Sequence, residues 1–251
     1  MFRELAHLAG QVYLYPCDAA PNAMQPNIGI IKSKKQTILV DAGNSPHHAR
    51  QILMAMAGQD FAPVETIIYT HHHWDHTFGA STYNATQIIA HSNNAHHMNS
   101  YANKTWNHTA LREEMYINPH LRVRNEAISV AIPDWRDFRI CTPKLTFSNR
   151  LTLYLDELRL ELQVISGGRH ADDSIVVRVP QAGVIFLGDC YYPPPAHMHV
   201  EGDDALSISI LESLIDEAYQ IYVDGHGAPR RYAEFITLIQ QEKARQASDA
   251  L

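Results

Sequence analysis

Between Thr70 and Thr77 the chain reads THHHWDHT, four histidines and one aspartate in six consecutive positions directly after the apolar run Ile67–Tyr69. A neutral imidazole is a good ligand for a borderline divalent metal and a poor occupant of a hydrophobic core. In an extended segment alternate residues share a face, so His71 and His73 are expected to point together just beyond the preceding strand. Asp75 and His76 follow where the chain turns and can aim at a second point a few ångströms away. Two imidazoles on one metal, with a carboxylate and an imidazole on a neighbour, is the division this spacing suggests. His72 is expected to face the other way and Trp74 to cover the turn. A His-rich surface loop is the bland alternative, and it leaves a His-x-His-x-Asp-His spacing after a buried strand unexplained.

Three more candidate ligands stand at strand ends later in the chain. ISGGRHADDS presents His170 in a glycine-rich turn before a strand, VIFLGDC ends a strand at Asp189, and IYVDGHG ends another at His226. Polar residues at strand ends beside glycine turns build sites rather than cores. His91, His96 and His97 follow the QIIA strand and could line a pocket, although surface or supporting positions are expected for them. His7, His47, His48, His108, His120, His197 and His199 are expected to be ordinary packing or solvent-facing residues. Cys190 reads as a small buried residue, not a nucleophile.

The elements that must hold these residues alternate between strand and helix. NIGIIKSKKQTILVDAG reads as two strands across a Lys-rich turn. SPHHARQILMAMAGQ reads as a helix capped by Ser45, with Pro46 at its first position and Gly58 at its end. ETIIYT and QIIAH are further strands, and the alternation points to an α/β domain. From 92 to 148 the pattern is least regular. NNAHHMNSYANK and TALREEMY suit helices, and the region reads as an elaboration over one face. RLTLYLDELRLELQVI is a hairpin about Asp156–Glu157, followed by strands SIVVRVP and GVIFLGD. A helix is expected over DDALSISILESLIDEA, then strand QIYVDGHG and a helix over PRRYAEFITLIQQEKARQ.

Composition narrows the classes. The chain has 251 residues, 45% hydrophobic, enough for one sizeable core, and 1–251 is read as one domain. A formal net charge of −7 favours neither nucleic acid nor an anionic membrane as partner. Three scattered cysteines make no disulfide framework, and no run approaches the roughly 20 apolar residues of a membrane span. A cytoplasmic protein with a small-molecule substrate is expected. The 92–148 region or the Pro193–Pro195 run could support a homo-oligomer.

The ordered set His-x-His-x-Asp-His, then His170, Asp189 and His226, resembles the metallo-β-lactamase-fold hydrolases. LVDAG around Asp41 matches a further element of that family, whose aspartate supports the metal ligands from behind. The resemblance implies a four-layer αββα sandwich with the site at one edge of its two sheets. It implies that His71, His73 and His170 hold one metal, that Asp75, His76 and His226 hold a second, and that Asp189 bridges them. Two Zn²⁺ ions are the implied cofactors, with iron or manganese as other divalent choices. A shared water acidified by two such ions would attack a carbonyl carbon, with Asp75 orienting it and carrying its proton to the leaving group. The substrate would be an ester, thioester, lactone or lactam. Tyr192, three residues after Asp189, is similar to a tyrosine of the lactone-hydrolysing branch that bonds the substrate carbonyl; a packing role in the Pro-rich loop is its rival.

Departures bear on substrate and not on metal. HADDS replaces a frequent His-Thr, and Asp224 stands where relatives often carry proline. Asp189 rather than cysteine at the bridging position argues against the lactamase subclass with a cysteine ligand. THHHWDH is similar to the glyoxalase II motif, but only one helix is expected after His226, so glyoxalase II itself is not expected. A phosphodiesterase or nuclease of the same fold would need a basic groove. A diiron redox protein usually has a carboxylate where His73 stands and an added flavin domain. A non-catalytic metal-binding module would tolerate lost ligands, and all seven are present here.

Overall fold

A computed structural model describes residues 3–18, 20, 23–195, 198 and 204–249. The N-terminal part builds a seven-stranded sheet from β1 (Ala6–Ala9), β2 (Val12–Tyr15), β3 (Ile28–Lys32), β4 (Thr37–Val40), β5 (Val64–Ile68), β6 (Gln87–His91) and β7 (Leu145–Phe147), paired in chain order. Pairing is antiparallel from β1 to β4 and parallel from β4 to β7. The second sheet contains β8 (Arg150–Leu155), β9 (Leu158–Val164), β10 (Ile175–Val179), β11 (Val184–Gly188), β12 (Ile221–Asp224) and β13 (Arg230–Arg231), in the order β13-β12-β11-β10-β9-β8. Only β11 and β12 run parallel in it.

Side-chain alternation creates the layers. In β3 and β4, Ile31, Ile38 and Val40 enter a core shared with Val177, Phe186 and Val223 of the other sheet. Their neighbours Ile30 and Leu39 face the opposite way, onto Ala49 and Ile52 of α1 (Pro46–Met56). The second sheet repeats the arrangement: Val176, Ile185 and Leu187 turn outward onto Ile210 of α6 (Ile208–Ser213) and Phe235 and Ile239 of α7 (Tyr232–Asp249). Strands buried on both faces need near-continuous apolar runs, which is what TILV and GVIFLG supply. The result is the expected αββα sandwich.

Local signals explain the helix ends. The Ser45 hydroxyl accepts the His48 N–H at 3.1 Å, Pro46 occupies the first turn, and Gly58 follows the helix at φ +79°. The region from 92 to 148 is more regular than its sequence suggests. It contains α3 (Ser92–Ala102), α4 (His108–Ile117) and α5 (Arg122–Ala131), and β7 extends the first sheet. The unanticipated α5 has a diluted apolar stripe, because its buried face includes Asn125, whose amide donates to the Leu111 carbonyl at 3.1 Å. Leu111, Ile128 and Ile132 pack with Trp74 and Phe78, so this elaboration is seated directly on α2 (Trp74–Thr77) and the histidine cluster.

Two other boundaries differ from the sequence expectation. The last helix starts at Tyr232, because Arg230 and Arg231 pair with Tyr222 and Ile221 instead. The helix expected from Asp203 is confined to Ile208–Ser213; Asp203, like His197 and His199, lies outside the described residues. Strands β1 and β2 were not anticipated, each being only four residues long. Among the described residues no helix is long and apolar enough to cross a membrane.

Candidate metal centre

All seven candidate ligands converge at one edge of the two sheets. His71 to His76 follow β5, Asp189 follows β11, His226 follows β12, and His170 lies in the loop between β9 and β10. Ligand-bearing residues beyond the carboxyl ends of parallel strands are the usual outcome where a twisted α/β sheet opens a crevice. Their donor atoms gather in overlapping groups: His71, His73 and His170; His71, His76 and Asp189; Asp75, His76 and His226. Within the first group His73 Nδ1 lies 3.0 Å from His71 Nε2 and 2.9 Å from His170 Nε2. In the last, His226 Nε2 is 3.1 Å and His76 Nε2 3.5 Å from Asp75 Oδ2.

Each ring is aimed by what its other nitrogen touches. His76 Nδ1 donates to Asp41 Oδ2 at 2.8 Å, and His170 Nδ1 donates to the Pro193 carbonyl at 2.8 Å, so in both Nε2 faces the centre. His71 Nδ1 meets the Thr70 hydroxyl at 3.1 Å. Asp41 itself is held at φ +68°, unusual for a non-glycine residue, and it also accepts from the Thr70 N–H (2.8 Å) and hydroxyl (2.9 Å). One carboxylate, on a residue with left-handed backbone, thereby ties the end of β4 to the start of the ligand run.

The electrostatics ask for positive charge at the centre. Burial, reinforced by the neighbouring His76 and His73 rings, pushes His71 well below the ordinary imidazole range, and burial with His170 does the same for His73. Both therefore offer neutral nitrogen lone pairs. Burial works against charge on His76 too, but the Asp189, Asp41 and Asp75 carboxylates overcome it and raise His76 well above its usual value. His226 is raised to about 10, because Asp189 and Asp75 outweigh its burial. Although burial disfavours its charge, Asp189 is held well below the usual carboxylate range by His226 and His76. Two neutral imidazoles beside a cluster of carboxylates suit divalent cations.

Two further observations fit metal. His76 Nε2 and Asp189 Oδ1 are buried with no hydrogen-bond partner among the described residues, in an interior where such atoms are normally paired. Gly225 passes so close that a Cβ there would collide with Asp189 Oδ1 and approach His76 Cε1 to 3.0 Å. The donor set, imidazole-rich with two carboxylates, is that of zinc or a neighbouring transition ion.

Beside the centre lies a cleft of about 610 Å³. His73, Asp75, His170, Asp189 and His226 form its floor. Met24, Trp74, Tyr101, Val123, Tyr192 and Met198 supply apolar walls. Tyr192 stands between His170 and His226, with ring centroids 6.1 and 6.4 Å away. Burial and the Asp224 carboxylate push its phenol well above the ordinary value, so it stays protonated. Asp224, buried under the loop that carries His226, accepts from the Tyr191 hydroxyl at 2.6 Å, the Gly227 N–H at 2.5 Å and Arg230. Cys190 is fully buried, and burial raises its thiol, as suits an inert residue.

Sequence reasoning missed one group. His72 does point away from the main centre, but its Nδ1 meets Asp173 Oδ1 at 2.8 Å and its ring stacks on His97 at 3.9 Å and 18°. His97 in turn meets Asp172 Oδ1 at 2.7 Å. The signal available is the adjacent acidic pair in HADDS, which by itself reads as a departure from His-Thr.

Comparison with known proteins agrees with this arrangement. The family model described as the metallo-beta-lactamase superfamily matches residues 21–223. No curated protein matches the sequence. Among solved structures, the stereoselective inverting sec-alkylsulfatase Pisa1 from Pseudomonas sp. superposes with a TM-score of 0.67 at 15% identity, over 96% of this chain and 41% of that one. The chain thus spans about two fifths of that enzyme. A metallo-beta-lactamase from Pontibacter korlensis gives 0.59 at 16% identity, over 96% and 98% of the two chains. The DIM-1 metallo-beta-lactamase gives 0.62 at 16%, over 96% and 97%. At such identities these structures speak for the fold alone, and the family match covers most of the chain in the region that carries the histidine run, His170 and Asp189. With two packed sheets, helices on both outer faces and the His/Asp cluster at their shared edge, the chain belongs to the metallo-beta-lactamase superfamily.

Proposed function

We propose that the chain is a binuclear metal-dependent hydrolase that uses water to cleave the acyl–heteroatom bond of an ester, thioester, lactone or lactam. The observation that supports this reading most directly is the position of Asp189 Oδ2. It lies 3.3 Å from His170 Nε2 in one donor group, and 3.4 and 3.5 Å from His76 and His226 Nε2 in the other. A carboxylate oxygen so placed can serve two ions at once. His71, His73 and His170 would hold one and Asp75, His76 and His226 the other, with zinc the ion these ligands favour and iron or manganese the alternatives. When bound, two such ions supply Lewis acidity toward a carbonyl oxygen and acidify water to near neutrality.

The remaining roles belong to the protein. Asp75, kept ionised by the His76 and His226 imidazoles against the effect of its burial, lines the cleft floor. Its carboxylate takes a proton from the attacking water and returns it to the leaving alcohol, thiol or amine. The carbonyl–leaving-group bond breaks, and the products are a carboxylic acid and the protonated leaving group. The apolar walls exclude water around the scissile bond and accept an uncharged organic substrate. The two arginines that line the cleft, Arg124 and Arg169, are already engaged, with Glu114 at 3.3 Å and with the Ala205 carbonyl, which leaves little for an anionic phosphodiester. The Tyr192 hydroxyl can donate to a substrate oxygen once it turns from Asp224. A single 1–251 domain with its 92–148 elaboration walling the cleft completes the picture. Three unpaired cysteines suit a reducing, cytoplasmic setting.

The test is metal content per chain on protein purified without added metal, read with turnover of a lactone, a thioester and a lactam. About two zinc ions with turnover of any one compound is the expected outcome. Two ions with cleavage of a phosphodiester alone would replace the carbonyl reading, and iron with redox activity would overturn it.

A further inference from the structure

We propose that His72, His97, Asp172 and Asp173 form a further divalent-metal site on the cleft wall, separate from the centre built on His71 to His226. One ligand atom from each of the four lies within 4.8 Å of all the others. They come from three segments: the strand end after β5, the middle of α3, and the loop after His170. The pairwise distances, 2.8 Å between His72 Nδ1 and Asp173 Oδ1 and 2.7 Å between His97 Nε2 and Asp172 Oδ1, match the 2.9 and 3.0 Å spacings inside the main centre. Donors around one small cation stand about this far apart, given metal–ligand bonds near 2 Å.

Charge argues in the same direction. Asp173 is fully buried, and among the described residues no lysine or arginine pairs with it or with Asp172. A buried carboxylate without a cation is costly. The two rings stack with centroids 3.9 Å apart, so one divalent ion can take a nitrogen from each while neutralising both carboxylates. The surroundings add an independent sign. Asn94, also fully buried, aims its amide at Asp173 (Nδ2 to Oδ2, 2.8 Å) and leaves its Oδ1 without a partner among the described residues. Asn93 Nδ2 meets Asp172 Oδ2 at 3.2 Å. These amides hold the outer carboxylate oxygens and leave the inner ones to the ion, as supporting groups do around metal ligands.

Two imidazoles with two carboxylates select zinc, nickel or copper over calcium or magnesium. His72, His97 and Asp172 line the same cleft as Asp75 and His226. An ion there puts a Lewis-acidic corner on the cleft wall and ties α3 to the loop that carries His170.

The experiment counts zinc per chain by elemental analysis after equilibration with buffered micromolar free zinc. It compares the full-length wild type with His97→Ala and Asp172→Asn, two positions at the protein surface. Each variant is expected to hold one ion fewer than the wild type, with an unchanged circular dichroism spectrum. Equal counts in wild type and both variants would overturn the site. Asp189→Asn, alone and combined with His97→Ala, separates this inference from the hydrolase reading. The His97-dependent ion should survive loss of Asp189, and its disappearance with Asp189 alone would also overturn the proposal.

Discussion

At Asp75 one carboxylate oxygen faces two imidazoles, His226 Nε2 at 3.1 Å and His76 Nε2 at 3.5 Å, and the cleft as well. Replacing it with asparagine keeps the shape and one oxygen acceptor but removes the ability to carry a proton. Asp75→Asn is therefore expected to lower kcat by about 10²-fold or more, the usual range for loss of a general acid–base group. Metal analysis and kinetics on the same sample check this; wild-type kcat with full metal content would remove Asp75 from the proton path. Tyr192 makes a finer case. Its hydroxyl is more strongly influenced by the Asp224 carboxylate than by Asp189, so only part of its bonding capacity is free for substrate. Tyr192→Phe should lower kcat about three- to tenfold, the worth of one neutral hydrogen bond, with metal content unchanged. Unchanged kinetics would leave Tyr192 as the packing residue it also resembles.

The elements show why so much of this centre is legible in sequence and why some of it is not. His71, His73, Asp75 and His76 are readable because strand alternation followed by a single turn is a local geometry, set within one segment. Their convergence with His170, Asp189 and His226 is non-local, and strand-end placement beside glycine was the only clue to it. The cluster of His72 and His97 with the acidic pair was missed because its members lie on three segments that no periodicity connects. In the same way α5 escaped notice because a buried Asn125 breaks its apolar stripe. Gly79 shows how closely the elements fit around the readable part. Its N–H donates to the Gly43 carbonyl at 2.9 Å while the Ala42 N–H donates to the His76 carbonyl at 2.7 Å, locking the end of α2 to the loop after β4. A Cβ at Gly79 would strike the Ala42 carbonyl oxygen, part of the backbone with no flexible side chain to give way. Gly79→Ala should destabilise the fold by about 1–3 kcal/mol, as overpacking does. Because Asp41 and His76 sit on the two segments forced apart, metal retention should fall as well. Urea unfolding with metal analysis tests both, and wild-type values for both would show the contact to be slack.

Across the whole molecule, the two sheets share one core, the Ile175 N–H of β10 donates to the Thr70 carbonyl at the site edge (2.8 Å), and the seven candidate ligands are drawn from both sheets. Ions held there would link the sheets, in addition to any catalytic role. The outer helix layer has its own fastening, away from the metal. On α7, Glu242 is buried and accepts from Arg245 at 2.6 Å, from Gln246 at 2.7 Å and from the Leu206 N–H at 3.0 Å, fixing the chain that enters α6. These donors, Arg245 first, outweigh burial and hold its carboxyl at about 2, against an ordinary value of 4.5. A carboxylate whose value is depressed by folding stabilises the native state above its unfolded value, and that stabilisation disappears as pH falls from about 4.5 toward 2. Arg245 is 44% exposed, so solvent screening reduces the contribution to about 1–2 kcal/mol. Glu242→Gln should then be less stable than wild type by that amount at neutral pH. The gap should stay constant down to about pH 5 and close progressively below it, because the wild-type carboxyl takes up its proton there while the variant amide does not titrate. Urea midpoints for both proteins at pH 7, 5, 4 and 3 measure the gap directly, and the ion linkage cancels because both chains keep the same ligands. A gap that stayed constant into acid would mean that the bonds to Arg245 and the Leu206 N–H do not depend on the charge of Glu242, and a gap that widened would mean that folding raises its carboxyl instead of depressing it.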